Sequence, residues 1–116
     1  MLNYREFEEN QLDYHQIIEF EEVANGERIF LEIGDQEIVL FRIGDILFAI
    51  QDICSHDNGP LGDGDIEGDK IVCPRHGSRF SLETGKAETL PAVEDIPSYP
   101  VRVIEGMIEI GLPKKQ

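Results

Sequence analysis

The chain carries two short motifs in its central region, C-S-H at residues 54–56 and C-P-R-H at residues 73–76, with sixteen residues between them. Each motif supplies one thiol and one imidazole, a combination of side chains that binds zinc or iron. Glycine and proline accompany both motifs, as in G-P-L-G at residues 59–62. Such residues let the backbone turn tightly around an inorganic centre and aim its N–H groups at sulfur or metal. The motifs therefore predict a loop-rich metal-binding lobe at residues 54–92.

The two cysteines, Cys54 and Cys73, could form a disulfide, lie as inert thiols in a core, or bind a metal. Residues 1–10 are acidic and contain no apolar stretch, which argues against a secretory signal peptide. We therefore expect a cytoplasmic protein, in which the reducing environment disfavours a disulfide. Two cysteines and two histidines also suit tetrahedral zinc, although a zinc finger usually pairs its cysteines first and its histidines later. The residue types alone therefore do not decide what kind of metal site this is.

Short segments rich in β-branched and aromatic residues flank the predicted lobe on both sides. They are residues 17–20, 28–33, 37–41, 46–50, 101–104 and 107–110. Glycine-containing turns between them predict hairpins, at Asn25-Gly26, Gly34-Asp35, Gly44-Asp45 and Glu105-Gly106. No window of about 11 residues or more shows helical periodicity. The predicted fold class is all-β, with an antiparallel β-sandwich base and an inserted loop-rich lobe.

The acid–base balance limits the possible partners. The 116 residues include 24 acidic and 10 basic side chains, for a net charge of −14. Such a charge excludes nonspecific nucleic-acid binding and argues against docking to anionic membranes. No apolar run approaches the roughly 20 residues that span a bilayer, so no membrane anchor is expected. Residues 1–53 hold 13 acidic and 3 basic side chains, and most of the acidity therefore precedes the lobe.

The motif pattern C-x-H, sixteen residues, C-x-x-H resembles that of the Rieske family, in which it holds a [2Fe–2S] cluster. The stretch C-P-R-H-G-S-R-F at residues 73–80 is similar to the family's C-P-x-H-G-x-x-F box, and Thr84-Gly85 follows it as in Rieske ferredoxins. Residues 90–92, Leu-Pro-Ala, stand where the family has a third, proline-bearing loop over the cluster. The resemblance covers about residues 15–112. It predicts one Rieske domain there, a polar N-terminal arm at residues 1–14, mobile or forming a short helical turn, and a tail at residues 113–116.

The resemblance implies one [2Fe–2S] cluster per chain, with two cysteines on one iron and two histidines on the other. The implied ligands are Cys54, Cys73, His56 and His76. The third histidine, His15, has no partner motif and is expected on the surface. In high-potential members a serine hydroxyl bonds a cluster sulfide and a tyrosine bonds a cysteine sulfur. Here Ser78 matches the serine, whereas Phe80 stands at the tyrosine position, so we expect a low potential for the family.

Rieske proteins differ in their membrane anchors, in extra cysteines of the loops and in additional domains, and these features indicate the class of this chain. Respiratory and photosynthetic members have a membrane anchor and an extra cysteine in each loop, and Gly59 and Arg75 occupy those two positions here. Rieske oxygenases need a second iron domain, for which 116 residues leave no room. The resemblance therefore implies a free-standing, monomeric ferredoxin that is not itself an enzyme. Such a ferredoxin carries electrons from a flavin reductase to the terminal oxygenase of an aromatic-ring dioxygenase system, and docks both at its cluster tip.

Two other functions stay open from the sequence. One is the small subunit of an assimilatory nitrite reductase, which shares the fold, and the other is a non-redox zinc-binding interaction module. Arg75 and Arg79 flank His76, and they could either be solvated surface charges or contact a redox partner.

Overall fold

A computed structural model describes residues 3–114, which form ten strands and three short 3-10 helices. The strands are β1 (Leu12–Glu19), β2 (Arg28–Ile33), β3 (Gln36–Ile43), β4 (Ile46–Gln51), β5 (Asp65–Glu67), β6 (Lys70–Val72), β7 (Arg79–Ser81), β8 (Ser98–Tyr99), β9 (Val101–Ile104) and β10 (Met107–Pro113). The 3-10 helices are Tyr4–Glu6, Glu9–Gln11 and Phe20–Glu22. None of the helices within residues 3–114 has the length and apolar character to cross a membrane.

The strands form three antiparallel sheets. Two of them, in the orders β2-β3-β4-β8 and β1-β10-β9, make the base. The third, β5-β6-β7, forms the lobe between β4 and β8 in the chain. The predicted all-β class, with an antiparallel base and an inserted lobe, is confirmed. The lobe is more regular than expected, because its three-residue strands are too short to show a period in the sequence.

The central strand β3 is buried on both faces and joins two hydrophobic cores. Ile38 and Leu40 face a core that includes Ile108 of β10. Val39 and Phe41 point the other way, into a core shared with the lobe. This division follows from the period of two along a strand, which sends successive side chains to opposite faces. Full burial of each such hydrophobic side chain stabilises the fold by about 1.5–3 kcal/mol, so β3 ties the lobe to the base.

Three of the four predicted hairpin turns are confirmed. Gly34-Asp35 joins β2 to β3, Gly44-Asp45 joins β3 to β4, and Glu105-Gly106 joins β9 to β10. The prediction of a hairpin at Asn25-Gly26 is wrong. This turn lies between β1 and β2, which belong to different sheets, because the chain crosses from one sheet to the other around the fully buried Val23.

The N-terminal region is packed against the base. Of the two alternatives for the N-terminal arm, residues 3–11 have the short helical turns, and the Tyr4 and Tyr99 ring centroids lie 5.4 Å apart. Strand β1 begins at Leu12, earlier than the predicted strand at residues 17–20, because Leu12 is buried and pairs with Pro113. A bulge interrupts β1 at Ile17, where the register with β10 shifts. Residues 1, 2, 115 and 116 lie outside the described part, and β10 includes the first residue of the predicted tail.

Polar contacts fix the start of the lobe on the base. The Arg28 guanidinium donates hydrogen bonds to the carbonyl oxygens of Gly62 and Gly64. The Asp52 carboxylate accepts from the N–H groups of Leu61 and Gly62, at 2.8 and 2.6 Å. Charged partners make these hydrogen bonds stronger than neutral ones. The orientation of the lobe is therefore set by side chains of β2 and of the residue that follows β4.

Gly85, in the Thr84-Gly85 turn, and Gly68 both have left-handed backbone, but we expect them to differ in how much a substitution by alanine destabilises the fold. Gly85 has φ +79°, and a Cβ atom there would lie 1.9 Å from the Ile96 carbonyl oxygen. Gly68 has φ +62° with no atom within 4 Å of the Cβ position. We expect Gly68→Ala to cost about 1–2 kcal/mol, the cost of left-handed backbone, and Gly85→Ala to cost at least about 1–3 kcal/mol more, because the backbone must move. Thermal unfolding followed by circular dichroism measures both, and equal losses would contradict the packing argument.

Candidate metal centre

Two loops of the lobe have the same backbone hydrogen bonds. We call residues 54–60 the first loop and residues 73–78 the second loop. In the first, Cys54 N–H donates to Gly59 O and Cys54 O accepts from Asn58 N–H, at 2.8 and 2.7 Å. In the second, Cys73 N–H donates to Ser78 O and Cys73 O accepts from Gly77 N–H, at 2.7 and 3.0 Å. Each loop therefore closes on its own cysteine.

Left-handed backbone makes this closure possible in both loops. Asn58 and Gly77, each four residues after the cysteine of its loop, have φ +60° and +78°. Glycine adopts this conformation freely, and asparagine tolerates it better than most residues do. The sequence motifs therefore specify two copies of one loop shape, and each copy presents a cysteine and a histidine.

The two cysteines lie together beneath the surface. Cys54 and Cys73 are free thiols with 0% and 1% of their surface exposed, and both pack in the core that contains Phe80 and Leu82. Burial raises the pKa of the Cys54 thiol. A thiol of raised pKa holds its proton at neutral pH, so a metal ion must displace that proton on binding.

The two histidines lie together at the surface. The His56 and His76 rings are 4.9 Å apart between centroids and nearly perpendicular, at 84°. Both side chains are exposed, His76 by 52%. The four predicted ligand residues thus form a buried sulfur pair and an exposed nitrogen pair on neighbouring loops. This donor set fits a centre with two iron atoms, one of which carries sulfur ligands and the other nitrogen ligands; the same four groups could also hold a zinc ion.

One acidic residue belongs to both pairs and was missed in the sequence. Asp57 has a carboxylate oxygen within 4.8 Å of ligand atoms of both cysteines, and likewise of both histidines. The oxygen Oδ2 lies 3.5 Å from Nδ1 of His76. The Arg75 guanidinium, helped by the Gly59 N–H group, holds the pKa of the Asp57 carboxyl well below its usual range. The sequence does place Asp57 directly after the predicted ligand His56. It does not show that Asp57 pairs with Arg75, which is eighteen residues away in the chain.

A third loop, residues 89–95, lies against the first two. Its Ala92 N–H donates to Ser78 Oγ at 3.0 Å, and its Glu94 carbonyl accepts from Ser55 Oγ. The Leu90–Pro91 peptide bond is cis. The side chain of Ala92 is buried, whereas those of Leu90 and Val93 are each 76% exposed. The proline-bearing loop is therefore fastened to both histidine-bearing loops and presents two apolar side chains to solvent.

The remaining candidate residues lie outside this centre. His15 is an exposed residue of β1, paired with Ile110 in the base. It lines a cleft of about 550 Å³ to which none of the four predicted ligands contributes. Arg75 and Arg79, which the sequence left as solvated charges or partner contacts, are both paired within the lobe, Arg75 with Asp57 and Arg79 with Glu67.

Known proteins resemble this chain over most of its length. Residues 13–100 match the family profile described as the Rieske [2Fe-2S] domain. The ferredoxin subunit of 3-phenylpropionate/cinnamic acid dioxygenase from Escherichia coli (strain K12) is 42% identical over 96 residues, which are 82% of this chain and 90% of that protein.

Two solved structures have the same fold. The ferredoxin of carbazole 1,9a-dioxygenase from Nocardioides aromaticivorans IC177 is 28% identical, with a TM-score of 0.78 over 87% of this chain and 98% of that one. A complex of reduced oxygenase and oxidised ferredoxin in carbazole 1,9a-dioxygenase matches at 27% identity and a TM-score of 0.78, over 89% of this chain and 96% of the matched chain. Taken with the paired loops and their four metal-binding side chains, these matches show that the chain belongs to the Rieske [2Fe–2S] family.

Proposed function

We propose that the protein is a one-electron carrier, the Rieske ferredoxin of a multicomponent aromatic-ring dioxygenase system. It accepts an electron from a flavin-dependent reductase and donates it to a terminal non-haem iron oxygenase. It is an electron-transfer component, and the oxidation of the substrate takes place on the oxygenase. The protein acts as a monomer that binds each partner transiently.

One observation carries this proposal, the pairing of two buried thiols with two exposed imidazoles on matching loops. Cys54 and Cys73 would hold one iron of the cluster, and His56 and His76 would hold the other. When bound, the cluster supplies a one-electron couple whose potential is raised by the replacement of two thiolates with neutral imidazoles. The lobe core shields the sulfur side, so partners reach the centre from the histidine side.

The relatives support the class of partner. The chain covers 90% of the Escherichia coli ferredoxin and 98% of the Nocardioides ferredoxin, both of which are named as components of ring dioxygenases. A complex between an oxygenase and a ferredoxin exists in the carbazole system. By analogy, a terminal oxygenase is the electron acceptor here. The aromatic substrates differ among these relatives, and the ferredoxin does not need to recognise them.

The surface around the histidines suits a transient partner. Leu90 and Val93 each have 76% of their surface exposed, and their loop is hydrogen-bonded to both loops that carry the exposed His56 and His76. Removal of apolar side chains from water is the main favourable contribution to most protein–protein association. Weak redox complexes typically bury less than about 1,200 Å², so a small docking surface is enough. We therefore place the docking surface at Leu90, Val93 and the two histidines.

The cofactor can be tested by chemical analysis. We expect two irons and two acid-labile sulfides per chain, and a rhombic EPR signal of low average g after reduction with dithionite. Cys54→Ala, Cys73→Ala, His56→Ala and His76→Ala should each lose this signal, because each removes one ligand. His15→Ala, which changes a histidine in the base, is the control and should keep it. One zinc per chain without sulfide would reject the electron-carrier function.

The docking surface can be tested by stopped-flow reduction of an oxygenase. The chemically reduced ferredoxin is mixed with the terminal oxygenase of the Escherichia coli phenylpropionate system, whose own ferredoxin is a relative. We expect the double variant Leu90→Ser/Val93→Ser to transfer electrons about tenfold more slowly, the effect of roughly 1.4 kcal/mol of lost binding energy. Ile46→Ser, a change at a 59% exposed residue of the β3–β4 hairpin, should leave the rate unchanged. Equal rates for both variants would show that Leu90 and Val93 do not belong to the docking surface.

The role of Ser78 can be tested by voltammetry. Its buried hydroxyl accepts a hydrogen bond from Ala92 N–H, and its own proton is therefore available to a cluster sulfide. A donor to sulfur stabilises the reduced state, so Ser78→Ala should lower the midpoint potential by about 50 mV, which corresponds to roughly 1 kcal/mol for one electron. The control is Ser81→Ala, which removes another buried lobe hydroxyl, one that accepts from Thr84 N–H. Equal shifts in the two variants would exclude a specific bond from Ser78.

A further inference from the structure

Arg75 links the two histidine-bearing loops through its side chain. Its Nε and Nη2 atoms donate to the two carboxylate oxygens of Asp57, at 2.5 and 2.8 Å, and its Nη1 donates to the Pro60 carbonyl at 2.7 Å. Arg75 belongs to the second loop, and all three acceptors belong to the first. A planar guanidinium that holds a carboxylate with two parallel bonds fixes direction as well as distance.

The backbone of the first loop is shaped to admit this guanidinium. A Cβ atom at Gly59 would lie 2.8 Å from both Cζ and Nη2 of Arg75, closer than atoms can approach without moving. The absence of a side chain at this position therefore lets the guanidinium lie against the loop. The Gly59 N–H group also donates to Asp57 Oδ1 at 2.9 Å, so the carboxylate is held from both loops.

The linked residues are the chain neighbours of the two histidines. Arg75 precedes His76 directly, and Asp57 follows His56 directly. The cysteines are fixed separately, because both are buried in the lobe core. The exposed histidines lie outside that core, His76 being 52% exposed. The spacing of the two imidazoles therefore depends on contacts outside the core, which are the bonds of each loop to the third loop and the direct bonds that Arg75 makes between the two.

We propose that Arg75 is a positioning residue of the metal centre, which joins the two loops through Asp57 and so keeps His56 and His76 at the spacing that binds iron. This rests on the proposed ligand set. Arg75 does not contact the reacting electron donor or acceptor in this role. Its charge is balanced by Asp57, and its function lies in the geometry of the fork rather than in an added positive charge.

A second arginine of the lobe provides the matched control. Arg79 makes a similar pair with Glu67, with Nε 2.8 Å from the carboxylate oxygen Oε1. This pair joins β7 to β5 and does not link the two histidine-bearing loops. Arg79→Gln removes the same charge from the same lobe as Arg75→Gln, and only the latter opens the contact between the loops.

The test measures cluster loss to an iron chelator and the EPR spectrum of the reduced protein. We expect Arg75→Gln and Asp57→Asn to lose iron about tenfold faster than the unsubstituted protein and to show shifted g values, because the imidazoles change position. Combined in one chain, the two substitutions should cost no more than either alone, since the residues act as one unit. Arg79→Gln should match the unsubstituted protein in both measurements. Arg75→Lys, which keeps the charge but loses the fork, should be intermediate.

Several results would overturn the proposal. Unchanged iron loss and g values in Arg75→Gln would show that Arg75 has no positioning role. If Arg75→Lys behaves like the unsubstituted protein, the positive charge and not the fork is what matters. Equal effects of Arg75→Gln and Arg79→Gln would likewise assign the effect to loss of a positive charge in the lobe. If Arg75→Gln assembles no cluster, the lysine variant and Asp57→Asn still decide between these outcomes. Failure of the proposed function is visible separately, because the unsubstituted protein would then contain no iron and sulfide.

Discussion

Each ligand loop is closed by hydrogen bonds to the backbone of its own cysteine, and the rest of the site depends on this closure. The N–H and C=O groups of Cys54 and Cys73 are both used within their loops. Since the cysteine side chains are buried in the lobe core, the closed loops must lie with their histidines outward. The burial of the sulfur pair and the exposure of the nitrogen pair are thus two results of one arrangement. That arrangement gives the centre a protected side and a side that partners can approach.

The base contributes by giving the lobe a fixed support. Successive residues of β3 enter two different cores, and one of these cores contains both cysteines. Arg28 and Asp52 bind the backbone where the lobe begins. A metal centre that exchanges electrons without bond formation needs little motion, and a support of this kind limits the motion of the ligand loops.

The parts of the fold that could be predicted are those with a pattern that extends over several residues of the sequence. The alternating segments and the turns at Gly34 and Gly44 specify hairpins, and the two Cys/His motifs specify a shared site, whose four side chains do lie together in the structure. The hairpin at Asn25-Gly26 was wrong because a turn sequence does not say whether the next strand stays in the same sheet. The lobe strands were missed because three residues give no period. The contact of Asp57 with Arg75 could not be read from the chain, since it forms only when two loops eighteen residues apart are brought side by side.

The bulge at Ile17 has a consequence for how copies of this protein meet one another. Strand β1 is the edge of its sheet, and an exposed edge is a template onto which a strand of another chain can add. The bulge breaks the regular row of backbone donors and acceptors there, and the exposed Asp13 and Glu19 place like charges along the same edge. Edge-to-edge aggregation through β1 is therefore opposed. A carrier that must meet its partners many times, and leave each time, benefits from a sheet edge that resists pairing with other copies.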